Sequence, residues 1–93
     1  MNQKELAHKL SNIFAECVQL AVAKNSDYAK VEDALENFHD FGTLGIIVRI
    51  GDKYKRLKNI LQKGEISVKS ESVRDSLIDT IVYCAIAVIL EEK

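Results

Sequence analysis

Apolar residues in the first quarter of the chain recur at steps of three and four: Leu6, Leu10, Ile13, Phe14, Cys17, Leu20 and Ala21. That spacing makes one stripe of an amphipathic helix, predicted from about Asn2 to Ala23. Lys24 to Asp27 then reads KNSD, whose Asn, Ser and Asp side chains can hydrogen-bond their own backbone, so a turn is expected. A short helix is expected from Lys30 to His39. FGTLG, Phe41 to Gly45, reads as a tight joint, after which Ile46, Ile47, Ile50, Tyr54, Leu57, Ile60 and Leu61 mark one face of a third helix ending near Gly64. Beyond KGEISVKSE, Ser70 can cap a last helix with Glu71 in its first turn. Val73, Leu77, Ile78, Ile81, Val82, Cys84, Ala85, Val88 and Ile89 carry that helix to a polar tail. Its β-branched residues leave a strand open, but about twenty residues without a turn signal argue for a helix. The pattern predicts an all-α fold: a small antiparallel helical bundle of three long helices and one short one, forming a single domain over residues 1–93.

Composition adds an expectation about assembly. Ninety-three residues allow only a modest core, and the apolar surfaces of the first and last helices are wider than one partner would cover. Self-association should complete the burial, as a homodimer by default or a homotetramer. Thirteen basic and 14 acidic side chains leave a net charge of -1, which gives no long-range pull toward nucleic acid or an anionic membrane. A DNA-binding helix-turn-helix lacks the basic surplus it needs, and any phosphate site must be local. The apolar run from Cys84 to Leu90 falls far short of the ~20 residues that span a bilayer. Cys17 and Cys84 read as core packing, and no charged-then-apolar leader opens the chain, so a reducing cytoplasm is expected. His8 and His39 have no partner at metal-ligand spacing and read as surface residues.

Two charged rows are the candidate chemistry. Glu71, Asp75 and Asp79 stand at i, i+4 and i+8, on one slowly drifting row that Tyr83 continues. The macrodipole accounts for acids in a first turn but not for Asp79, deep inside a greasy helix, where a carboxylate needs an ion-pair partner or a ligand. Tyr83 can donate to a carboxylate or ligand, or simply be a buried tyrosine with a satisfied hydroxyl. On the third helix, Arg49, Asp52, Lys53 and Arg56 share a face. Asp52 can bridge the two arginines on a solvated surface, or act as a ligand. If the two faces meet, acidic oxygens suited to Mg²⁺ lie beside donors suited to phosphate, a cleft for a magnesium–polyphosphate complex.

Three segments carry a resemblance. KNSDY (Lys24 to Tyr28), GTLGIIVRIGDKYKRLKNIL (Gly42 to Leu61) and VKSESVRDSLIDTIVYCAI (Val68 to Ile86) together resemble the nucleotide modification associated domain 1 family. That family belongs with the all-α nucleoside triphosphate pyrophosphohydrolases related to MazG and dimeric dUTPase, found commonly in phages and bacteria. The resemblance implies a helical fold, Mg²⁺ bound by carboxylates (with Mn²⁺ as a substitute), and cleavage of a nucleoside triphosphate to the monophosphate and pyrophosphate. It marks Lys24, Asn25, Asp27 and Tyr28 as a substrate wall and Arg49, Lys53 and Arg56 as phosphate-facing; Tyr83, which continues the acidic row, joins the substrate-binding candidates. Asp52, Glu71, Asp75 and Asp79 become metal-ligand candidates, with Asp75 and Asp79 the catalytic ones. Two departures stand out: Ala29 occupies a position where the family commonly has Gly, and the superfamily's E-E-x-x-E followed by E-x-x-D is absent. Glu32 or Glu36 can complete the acidic set. A non-catalytic nucleotide-binding or interaction protein on the same scaffold is the alternative.

Overall fold

A computed structural model describes residues 1–28, 35–63 and 69–92, without the side chains of 24–28, 36, 37 and 69–72. The secondary structure of the described residues is entirely helical: α1 (Gln3–Tyr28), α2 (Glu36–His39), α3 (Gly42–Lys63) and α4 (Lys69–Glu91). No strand occurs among them, α4 included. None of these helices is long and apolar enough to cross a membrane.

The chain divides into two compact units, Met1–Asn37 and Phe38–Lys93. In the first, α1 starts where its pattern does: the Asn2 side-chain oxygen accepts from the Glu5 backbone N–H at 2.8 Å, an N-cap that satisfies one orphan donor of the first turn. The far end differs from expectation. Lys24, Asn25, Ser26 and Asp27 are helical through Tyr28 rather than forming a turn. Asn, Ser and Asp are only mildly unfavourable within a helix, by well under ~1 kcal/mol each relative to Ala, so without Gly or Pro the helix can run on. Cys17 is buried on α1, whereas Leu6, Leu10, Phe14, Val18 and Val22 are all exposed.

The second unit is built on α3 and α4. Three side-chain contacts fix their relation: Thr43 with Glu91, Arg49 with Tyr83, and Lys53 with Asp79. As α3 advances, its partners on α4 retreat by a similar number of residues, so the helices are antiparallel. Ile46 on α3 is fully buried, and Ile78, Ile86 and Ala87 are buried on α4.

Here too the joints differ from expectation. Gly45 is inside α3, with its N–H bonded to the Phe41 carbonyl at 3.2 Å, so FGTLG is mostly first turn. Ser70 likewise lies within α4, which is already helical at Lys69. Of the expected Lys30–His39 helix, α2 realises the last four residues, and 29–34 lie outside the described residues. α4 is also less enclosed than its composition suggests. Ser76, Ile78, Ile86 and Ala87 are buried, but Leu77, Val88 and Ile89 are about half exposed, and Cys84 is exposed rather than packed in a core. An apolar helix face is covered only where a neighbour reaches it, and composition alone does not say which faces those are.

Candidate functional site

The two charged rows meet. Lys53 donates to Asp79 Oδ2 at 3.2 Å, with the two side chains 23% and 35% exposed. This supplies the compensation that a half-buried carboxylate on an apolar helix requires, and it does so by ion pairing. One turn along, Arg49 Nη1 donates to the Tyr83 hydroxyl at 3.3 Å, leaving the tyrosine proton available to another acceptor. Lys53 Nζ also stands over the Tyr83 ring, 5.8 Å from its centroid, within the range of cation–π attraction.

An aromatic group adjoins these cations. The Arg49 guanidinium carbon lies over the Phe41 ring at 5.1 Å from the centroid. Phe38 meets both Phe41 and Tyr83 edge-on, with ring centroids 5.8 Å and 6.5 Å apart, a preferred geometry for aromatic pairs. The result is one connected group, Phe38–Phe41–Arg49–Tyr83–Lys53–Asp79, contained within the second unit.

Sequence patterning did not bring out Phe38 and Phe41, although a signal for Phe41 exists. Phe41, Gly45, Arg49 and Lys53 form an i, i+4, i+8, i+12 row with a glycine in its second place. Side chains on a helix lean toward its N-terminus, so the Arg49 side chain can reach over the gap at Gly45 to the ring beyond. The gap is required: a Cβ at Gly45 would stand 2.6 Å from the Phe41 Cβ and about as close to the ring.

The other candidates are placed as follows. Arg56 and Asp52 are exposed on α3, and Asp75 is exposed on α4, one turn before Asp79. Lys24, Asn25, Asp27 and Tyr28 form the last helical residues of α1, and Glu71 is in the first turn of α4, but their side chains lie outside the described residues. The same holds for Glu36, and Glu32 is outside altogether. Among the described residues no three His, Cys, Asp or Glu side chains gather closely enough to hold a metal ion. Asp52 and Asp75 are exposed, and Lys53 pairs with Asp79. His8 and His39 are exposed, as expected.

The arrangement can therefore present two fixed cations and a tyrosine hydroxyl to an anionic ligand, beside aromatic surface. Comparison with protein-family models, with characterised proteins and with solved structures finds no match.

Proposed function

We propose that the chain binds a nucleoside triphosphate on the α3/α4 hairpin and hydrolyses it to the monophosphate and pyrophosphate. The supporting observation is the register of that hairpin, which sets Arg49 against Tyr83 and Lys53 against Asp79. These pairs join two of the segments that resemble the pyrophosphohydrolase family. Arg49 and Lys53 supply charged donors for phosphate oxygens, with Arg56 further along α3, and such donors fixed in advance stabilise charge that builds up during phosphoryl transfer. Asp79, oriented by Lys53, is the group proposed to position the attacking water, with Asp75 one turn away. Lys24, Asn25, Asp27 and Tyr28 are the further substrate-binding candidates that the resemblance adds. The reading includes Mg²⁺ dependence, with Mn²⁺ as a substitute: Asp52, Glu71, Asp75 and Asp79 are the residues proposed to hold the ion, which would neutralise triphosphate charge when bound. The implied setting is the cytoplasm, and the proposed assembly is a homodimer, with a homotetramer as the alternative.

Pyrophosphate release from a panel of ribo- and deoxyribonucleoside triphosphates with Mg²⁺ tests the proposal. Turnover of at least one nucleotide is expected, and Asp79→Asn should lower it by about 100-fold or more, the scale of losing a catalytic acid–base group, while leaving the circular dichroism spectrum unchanged. No turnover across the panel rejects hydrolysis. One observation favours a second reading, non-catalytic nucleotide binding: Lys53 engages the carboxylate that hydrolysis needs. Calorimetric binding of an intact nucleotide without turnover would select it.

A further inference from the structure

We infer that Phe41 is a positioning residue for phosphate binding, holding the Arg49 guanidinium in place through its ring face. The inference rests on the proposed triphosphate site, and it assigns a role to a residue with no chemistry of its own.

Three observations converge on Phe41. Gly42 has φ of +60°, a left-handed conformation that ordinary residues avoid, directly after Phe41. Gly45 lacks the Cβ that would collide with the ring. Gly42 thus turns the backbone into α3 directly after Phe41, and Gly45 leaves room for its ring. Phe38 then meets Phe41 edge-on at 5.8 Å and Tyr83 at 6.5 Å, linking the two residues that engage Arg49.

Arg49 shows what this placement does. It is exposed, and a long exposed side chain ordinarily samples many rotamers, which must be given up when it binds an anion. Here it is held at two points: Phe41 lies beneath the guanidinium carbon at 5.1 Å, and Tyr83 accepts from Nη1 at 3.3 Å. A guanidinium has five N–H donors in a rigid fork, so a single bond to Tyr83 leaves donors for two phosphate oxygens. Ordering the arginine before the ligand arrives reduces what binding must organise. Lys53, a turn further along the same row and over the Tyr83 ring, continues the anion-facing line.

Isothermal titration with inorganic tripolyphosphate tests this without any assumption about base or sugar. Wild-type protein is expected to bind, Arg49→Met to bind at least 10-fold more weakly, and Phe41→Leu about 5-fold more weakly, because leucine fills the notch without offering a ring face. Phe41→Tyr, which keeps the face, should bind within twofold of wild type. In the Arg49→Met background, Phe41→Leu should change nothing further, since its effect runs through the arginine. Equal binding by Phe41→Leu and wild type would overturn the inference, as would equal weakening by Phe41→Tyr and Phe41→Leu. An undiminished Phe41→Leu effect in the Arg49→Met background would overturn it too. If the wild type binds neither tripolyphosphate nor any nucleoside triphosphate, the phosphate site itself is rejected, and this inference with it.

Discussion

Three glycines of α3 show how one residue type acquires different meanings from its surroundings. A Cβ added at Gly51 would meet nothing within 4 Å, whereas at Gly45 it would overlap Phe41, and Gly42 combines open space with φ of +60°. The same substitution should therefore act differently at each position. Gly51→Ala removes backbone freedom from the unfolded chain and should stabilise the protein by about 0.5–1 kcal/mol. Gly42→Ala should cost about 1–2 kcal/mol for the left-handed backbone. Gly45→Ala should cost roughly 1–3 kcal/mol for overpacking, and it should also displace Phe41. Urea unfolding of the three variants checks the order, and a destabilised Gly51→Ala would contradict the open space around it. The sequence shows where these glycines stand, but not whether each one bends the chain, admits a neighbour or does neither. That depends on the residue packed against the position: Phe41 over Gly45, and nothing over Gly51.

At the scale of elements, the helices were legible because their apolar residues repeat at helical spacing, and their ends were less so. KNSD suggested a turn after Ala23, yet α1 continues to Tyr28, since the local preferences of Asn, Ser and Asp are weak beside the continuity of a helix. The charged rows were readable on each helix separately; that they face one another is a tertiary fact, shown by Lys53 against Asp79. The aromatic members were hidden because Phe38 precedes α3 and Phe41 reaches Arg49 through a gap that carries no side chain. The pairing makes its own prediction. Removing one partner of a half-exposed ion pair leaves the other charge poorly solvated, so Lys53→Met or Asp79→Leu alone should cost roughly 1–2 kcal/mol, between the values for exposed and buried pairs. The double variant should recover most of that loss in denaturant unfolding, because two apolar side chains can replace an ion pair. It should recover no nucleotide binding, which separates the pair's structural contribution from its functional one. If the two single losses simply add, Lys53 and Asp79 are not coupled.

For the whole molecule, the decisive feature is the apolar surface each helix leaves open. On α1, Leu6, Leu10, Phe14, Val18 and Val22 follow one another at steps of four and are 41, 41, 51, 62 and 61% exposed. α3 exposes Leu44, Ile47, Val48 and Leu61, and α4 exposes Leu77, Val88 and Ile89. Single exposed apolar residues are ordinary, whereas a five-member row along one helix is a large apolar surface for a chain to leave in water. A second copy is the partner proposed, because a net charge of -1 opposes self-association little and a helix face can pack against itself about a two-fold axis. Covering a half-exposed Leu, Val or Phe gains about 1 kcal/mol, roughly half the value of full burial. Five such residues from each copy then outweigh much of the ordering cost of association, estimated at about 4–15 kcal/mol. Light scattering at micromolar concentration should therefore report at least twice the 10.5 kDa chain mass. Phe14→Glu with Val18→Glu should lower that mass toward a single chain without loss of helical signal, as both side chains are exposed. A wild-type mass of one chain would reject self-association. An unchanged assembly in the double variant would move the interface from α1 to the open faces of α3 and α4.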